Sequence, residues 1–309
     1  MPRLEIHLPA GSSSRADRMI SEQVTGLSRR RAQALLEQGL IRIDGRRVRK
    51  GDVFSGERVL EVEILAALDP EIAPEPDLEI PILHQDESSV AVDKPAGRPA
   101  QALRSSARGT VANFLAARFP ETLLAGGSPL ESGLVHRLDT DTSGVLLAAR
   151  SREAWLELRR QFREGGVRKI YLALVHGRTP QAAEIARAIE PDPRSRRRVR
   201  VLADGERSQR ARPALTRYRA LARSGAFTLL EVEIETGVMH QIRAHLAAAG
   251  HPVAGDELYG GSRLEVCSRQ LLHAACLEFT SPGSAERVRV DSPLPSDFAA
   301  VLEMHSMTP

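Results

Sequence analysis

Between Leu65 and Val92 the chain carries seven acidic residues and no lysine or arginine, with Pro70, Pro74, Pro76 and Pro81 among them. Proline removes a backbone donor and restricts its predecessor, so such a segment reads as an extended linker. It divides the 309 residues into a compact basic unit at 14–64, an acidic proline-rich linker at 65–82 and a larger domain at 83–300. The length suffices for two cores. Like charge also discourages the linker from covering a surface that binds a polyanion.

The basic unit has readable elements. Ser14, with Asp17 three positions on, can cap a first helix by satisfying its open amides. A second helix is predicted after Ser28, with Arg29, Arg30 and Arg31 in its first turns and Ala32, Leu35 and Leu36 on its apolar face. Gly39 ends it, Leu40-Ile41-Arg42-Ile43 alternates as a strand, and Asp44-Gly45 signals a turn before a second basic strand around Val48. Arg46, Arg47, Arg49 and Lys50 make that ribbon electropositive. A solvated surface accounts equally well for charge alone. Three arginines opening a helix beside a basic hairpin instead make a concentrated patch for nucleic-acid phosphates. The pieces Arg15-Ala16-Asp17-Arg18, Ser28-Arg29, the helix to Gly39 and Ile41-Arg42-Ile43-Asp44-Gly45 resemble the alpha-L RNA-binding domain. Over roughly fifty residues, that resemblance implies structured RNA as a partner.

The larger domain mixes short strands and helices. Leu230, Val232 and Ile234 can face a core while Glu231 and Glu233 face outward, and Met239, Ile242 and Leu246 then fall at helical spacing up to Gly250. An α+β domain on mixed, mainly antiparallel sheet with flanking helices fits better than a doubly wound fold. There is no convincing internal repeat.

The chemistry concentrates in His136-Arg137-Leu138-Asp139-Thr140-Asp141-Thr142-Ser143-Gly144, just ahead of an apolar run. Asp139 is the candidate reacting carboxylate. A turn aspartate held by amides or a salt bridge is the bland reading, and Asp141 is a local competitor. Asp-Thr-Asp-Thr superficially resembles the first motif of haloacid-dehalogenase-like phosphatases. Here His136 and Arg137 interrupt the strand that should lead in, and no later acidic pair completes a metal site.

Four further segments accompany the loop: Asp93-Lys94-Pro95-Ala96-Gly97, Lys169-Ile170-Tyr171-Leu172, His240-Gln241-Ile242-Arg243, and Gly255-Asp256-Glu257-Leu258-Tyr259-Gly260. With Leu272-His273-Ala274, they resemble an RluA-like RNA pseudouridine synthase over almost the whole length. The resemblance implies Asp139 as catalytic aspartate, Tyr171 as the active-site aromatic and Arg243 as the basic partner of the aspartate. It implies isomerisation of uridine within RNA, breaking the N1 glycosidic bond and rejoining the base through C5. Asp139 would attack C1′ or abstract a ribose proton. A duplexed target must first leave its stack. No organic cofactor and no metal is expected, because isomerisation has no net redox change. For Tyr171, simple completion of an aromatic-apolar strand is the competing reading.

The family commonly has Gly-Arg-Thr before His-Gln-Ile-Arg, whereas this chain reads Gly237-Val238-Met239; altered RNA contacts are expected there. Arg98-Pro99-Ala100-Gln101 likewise departs from the usual segment. Arg137 can open the target helix, fill the vacated base position or bind phosphate. Lys94 binds RNA or braces the site floor, the structural role being favoured. His240 and His245 are five apart, which does not match a zinc-binding helix. His136, His251 and His273 read as loop supports or RNA contacts. Arg194, Arg196, Arg197, Arg198 and Arg200, in a proline-flanked segment, form a second basic focus: a solvated loop, or an RNA-contact loop near the cleft.

The formal charge is only +3, yet Lys50, Lys94 and Lys169 are the only lysines, and arginine's planar fork suits phosphates and base edges. Cys267 and Cys276 make neither a disulfide framework nor a zinc cluster. With no secretion signal and no bilayer-length apolar run, a cytoplasmic protein without a membrane partner is expected. Large-subunit ribosomal RNA or its assembly intermediates is the expected partner ahead of tRNA, and a monomer is the default. The alternative is a non-enzymatic RNA-binding assembly factor on a synthase scaffold.

Overall fold

The computed structural model describes residues 3–8, 14–23, 29–49, 52–54, 58–63, 72–264 and 266–308. Of the predicted linker 65–82, residues 65–71 lie outside them, while 72–82 are described, with Ile72 and Ile80 buried in the core of the larger domain. The first strands are β1 (Arg3–Leu8), β2 (Ser14–Arg15), β3 (Ile41–Ile43), β4 (Arg46–Arg47), β5 (Val53–Phe54) and β6 (Arg58–Glu63). They form a four-stranded sheet, β1-β6-β3-β4, and a β2-β5 pair, beside helices Ala16–Gln23 and Arg29–Gln38. Ile20, Leu35, Leu36, Ile41 and Ile43 make their own core.

One detail differs from the sequence reading. Ser14 is not the residue before the first helix but pairs across to Phe54 in the β2-β5 ladder. Asp17, fully buried, instead ties the two helices together, accepting hydrogen bonds from Gln33 Nε2 at 2.7 Å and Arg29 Nε at 3.0 Å. Burial opposes its charge, but these donors hold the carboxyl down at about 2. The turn joining β3 to β4 has Asp44 at φ 49° and Gly45 at φ 77°, the left-handed pair that a two-residue hairpin requires.

The remaining strands are β7 (Ile82–Gln85), β8 (Ser89–Lys94), β9 (Ser143–Ala149), β10 (Arg168–His176), β11 (Ala182–Ile185), β12 (Ile189–Pro191), β13 (Val199–Val201), β14 (Thr216–Ser224), β15 (Phe227–Ile234), β16 (Leu272–Thr280) and β17 (Arg287–Asp291). All but β12 and β13 build one sheet in the order β11-β14-β15-β10-β16-β9-β8-β7, with β17 against the second half of β16. Its pairings are antiparallel except for β9 with β16, through Ser143↔His273 and Gly144↔Ala274. This is a mixed, mainly antiparallel α+β architecture.

Strand β9 is buried along its whole length. Its alternation sends Leu146 and Ala148 into a core with Leu115 of helix Val111–Arg118, and Val145 and Leu147 into another with Leu158 of helix Arg152–Glu164. Strand β15 alternates as its sequence suggests, with Leu230, Val232 and Ile234 buried. Glu231 and Glu233 pair with Arg219 and Arg168. Helix Gln241–Ala248 follows, and Gly250 at φ 83° lies just beyond it. Met239 is 44% exposed and does not join the core that its spacing with Ile242 and Leu246 suggested. Among the described residues, no helix is long and apolar enough to cross a membrane.

Candidate active site

The loop ahead of β9 is held residue by residue. Thr142 N–H donates to the Asp139 carbonyl at 3.1 Å. Lys94 Nζ donates to the Thr140 carbonyl at 2.7 Å, and also to the carbonyls of Pro95 and Arg98 at 2.9 and 2.7 Å. Arg269, clamped by both oxygens of Asp297 at 2.6 and 2.8 Å, donates Nη1–H to the Asp141 carbonyl at 3.1 Å. Ser143 Oγ meets His273 Nδ1 at 3.0 Å. At Gly144, with φ 116°, a Cβ would lie 2.2 Å from the Ala274 carbonyl oxygen, so only glycine permits this close approach. Lys94 therefore sits beneath the loop with no solvent-exposed surface. Burial pulls its ammonium down to about 7 against the pull of Asp141 and Asp139. Three carbonyl acceptors match the three protons of its charged form.

Asp139 points to the start of helix Gln241–Ala248, where Arg243 Nη1 donates to its Oδ2 at 2.8 Å. The other edge of the guanidinium is taken by Asp256, with Nε to Oδ2 at 2.7 Å and Nη2 to Oδ1 at 2.8 Å. A planar fork bound on one edge can turn little, so its free corner is aimed. Side-chain exposure falls inward from 23% for Asp139 to 7% for Arg243 and 1% for Asp256. Burial opposes the charge on Arg243, but Asp256 and then Asp139 more than offset it, raising its pKa. His240, in the left-handed region at φ 53°, brings Nε2 within 3.7 Å of Asp139 Oδ2. Burial lowers the pKa of this imidazole.

Asp139, His240 and Arg243 line a cleft of about 550 Å³, within the range that encloses small ligands. Tyr171 also lines it and belongs to the core with Leu146 and Val232, so its apolar packing and its place in the cleft coexist. Burial first, then the nearby Asp139 charge, pushes its phenol up. A protonated ring in that position can support a base better than it can take a proton. His136 stacks on Phe162 at 4.8 Å and accepts the Leu147 N–H at Nε2, a supporting role. Lys169 donates to the carbonyls of Glu235 and Thr236 at 2.8 and 3.3 Å, fixing the chain as it leaves β15. Met239 lies at the cleft, with Arg137 and Arg212 also along its wall. Asp141 offers Arg269 a backbone carbonyl, and among the described residues no group of three histidine, cysteine or acidic side chains is arranged to hold a metal.

The sequence-predicted arginines divide. Asp139, Tyr171, Arg243 and Arg137 come together in the cleft. Arg29 is paired with Asp17, and Arg47 reaches the Glu37 carbonyl at 3.4 Å, while Arg46 is exposed. The side chains of Arg30 and Arg31 lie outside the described residues. The second basic focus is the turn of a β12-β13 hairpin rather than an open loop. Arg194, Arg196 and Arg197 are exposed there, Arg200 is taken up by Glu190 and Glu206, and Arg198 lies over the Tyr259 ring. By sequence, Asp256 and Tyr259 carried no individual role, standing only within their matching segment, and Arg269 was not singled out. A buried aspartate needs an opposite charge, but nothing local in Gly255-Asp256-Glu257 names that partner.

A family model described as RNA pseudouridylate synthase matches residues 88–248. Over 301 residues the chain is 40% identical to an RNA pseudouridine synthase of Chloroflexus aurantiacus, covering 97% of this chain and 92% of the relative. It is 33% identical over 306 residues to ribosomal large subunit pseudouridine synthase D of Xanthomonas campestris pv. campestris, covering 95% and 89%. Among solved structures, human RNA pseudouridylate synthase domain containing 1 matches with 25% identity and a TM-score of 0.56, over 77% of this chain and 99% of that one. Human RNA pseudouridylate synthase domain containing 4, at 24% identity, shares the fold with a TM-score of 0.59, over 74% of this chain and 94% of that one. The chain belongs to the RNA pseudouridylate synthase family. It is an enzyme of that class, an isomerase that acts on uridine in structured RNA.

Proposed function

We propose that Asp139 is the reacting carboxylate of this synthase, with Arg243 as its charged partner and Tyr171 as the aromatic against the flipped uracil. The observation that carries this reading is the hydrogen bond from the doubly anchored Arg243 to Asp139 at 2.8 Å, inside the cleft that Tyr171 also lines. A donor fixed before substrate arrives need not reorganise during the reaction. Within the cleft Asp139 either attacks C1′ as the N1–C1′ bond breaks and is displaced when C5 bonds to C1′, or abstracts a ribose proton to give a glycal and returns it as the C5–C1′ bond forms. The C5 proton is lost and N1 gains one, so the product is an isomer.

The target we propose is large-subunit ribosomal RNA or an assembly intermediate, ahead of tRNA. Support comes from relatives named large-subunit synthases and from the basic hairpin and helices at the N-terminus. In this reading residues 14–64 are an alpha-L RNA-binding domain, 65–82 a linker and 83–300 the catalytic domain. The protein works as a cytoplasmic monomer. Arg137 and the exposed hairpin arginines Arg196 and Arg197 contact phosphates, with Arg46 doing so from the N-terminal unit.

The test is to incubate unmodified large-subunit ribosomal RNA and immature particles with the wild type and with Asp139→Asn, mapping pseudouridine site by site. Product is expected only with the wild type, the variant falling by about a thousandfold or more, as for loss of an essential reacting group. Equal product from Asp139→Asn would overturn the assignment. Specific binding without product from the wild type would favour the assembly-factor alternative.

A further inference from the structure

Hairpin β12-β13 stands apart from the nine-stranded sheet. Its base is pinned by reciprocal hydrogen bonds between Ile189 and Arg212, at 2.9 and 2.8 Å. Its other strand is pinned by a side chain: Val199 N–H donates to the Tyr259 hydroxyl at 2.9 Å. The same hydroxyl meets His240 Nδ1 at 3.0 Å. A phenol can accept one hydrogen bond and donate another, so accepting from Val199 leaves its own proton for His240. That assigns the remaining proton of a neutral His240 to Nε2, the nitrogen 3.7 Å from Asp139 Oδ2.

The ring has two cationic neighbours as well. The guanidinium carbon of Arg243 lies 5.2 Å from its centroid and that of Arg198, in the hairpin turn, 5.1 Å. Both are at cation–π distance. Tyr259 is itself buried, packed with Ile189, Val199 and Ala244. One side chain therefore touches the arginine-bearing turn, the arginine that pairs with Asp139, and the histidine that flanks Asp139.

We propose that Tyr259 is a positioning residue linking hairpin β12-β13 to the Arg243–Asp139 pair, so that RNA held on the hairpin turn sets the geometry of the pair. The inference rests on the reading of Asp139 as the reacting carboxylate. A phosphate drawn to the turn competes for Arg198 and shifts Val199 by its neighbour. Both movements reach Asp139 through Tyr259, by way of Arg243 and of His240. If the ring only filled space, changes in the turn would alter RNA capture and leave the reaction rate at saturation untouched.

The probe is a large-subunit ribosomal RNA transcript carrying tritium at uracil C5, which is released to water when C5 takes the ribose bond. Single-turnover rates at saturating RNA are compared for wild type, Arg198→Ala, Tyr259→Phe and the double variant. Each single variant is expected to lower the saturating rate by about fivefold to tenfold, and the double by no more than the slower single, as for groups acting in one chain. Rates that multiply in the double variant would overturn the link. So would an Arg198→Ala enzyme that needs more RNA but reacts at the wild-type rate, and this readout stands even if Tyr259→Phe fails to fold. A wild type that releases no tritium, or an Asp139→Asn variant as fast as wild type, would instead remove the catalytic reading and the link with it.

Discussion

In the loop Asp139–Gly144, three successive carbonyls are engaged, by Thr142 N–H, Lys94 and Arg269. In the turn between β12 and β13, Arg194, Arg196 and Arg197 reach outward, and among the described residues their guanidiniums meet no carboxylate. Both segments carry or attract positive charge, but burial divides its use. Lys94, Arg243 and Arg269 spend their donors on carbonyls and carboxylates inside the protein, where an unmatched polar group is costly, and so fix positions. The outward arginines fix nothing in the protein and are free for a polyanion, at an affinity that salt will erode. Buried cations thus build the site in one region, while exposed ones in the other would recruit the substrate under the proposal above.

The contrast is broken most severely by Arg243→Met. This change strands Asp256 in the interior, which is expected to cost about 3–5 kcal/mol of stability as well as most of the activity. Denaturant unfolding beside single-turnover assays would show it, and an unchanged unfolding midpoint would mean Asp256 does not depend on its arginine. Next comes Lys94→Met, which frees the Thr140 carbonyl. A small displacement of the loop is expected to slow conversion by roughly tenfold to a hundredfold while RNA affinity stays within about twofold. Loss of affinity instead would move Lys94 to the recruiting set.

A pH titration sharpens the same division. Burial, then the charges of Lys169 and Arg159, pushes the His136 imidazole down from 6.5 to about 3. The unfolded chain takes up a proton between those values that the folded chain refuses, so stability is expected to fall as pH drops through that window. His136→Asn, whose amide oxygen can still accept the Leu147 N–H, should show a shallower decline in unfolding midpoint from pH 7 to 4; equal slopes would sink the assignment. The smallest effect belongs to the turn. Arg196→Ala and Arg197→Ala should each reduce the slope of log affinity against log salt by about 1. The melting temperature should not move, and a drop in it would show that these arginines hold structure after all.

Much of this was legible in sequence because its signals are local. The alternation of β15, the Asp44-Gly45 turn and the helix ending before Gly250 follow from neighbouring residues. That Tyr171 and Arg243 would join Asp139 in one cleft was suggested only by the family pattern, since the contact between Asp139 and Arg243 spans 104 positions. Local spacing misplaced Met239, because the chain turns through the left-handed His240 before the helix begins and carries Met239 to the cleft. Charge patterning could not say that Arg29 would be met by Asp17 and Arg200 by Glu190. Such partners are settled by tertiary packing, as are the contacts of Asp256 and Tyr259 with Arg243.

The parallel contact between β9 and β16 marks a seam between two wings of the large sheet. Asp139 precedes β9 on one side, while Arg243 follows β15 on the other. Bringing the two together requires closure of a long stretch of chain, an entropic cost that local structure cannot meet in advance. A nascent chain with only the first wing formed would possess the carboxylate without its guanidinium. If Asp139 reacts as proposed, completion of the sheet is also the moment at which the polypeptide becomes a catalyst, and a half-made molecule is chemically silent toward RNA.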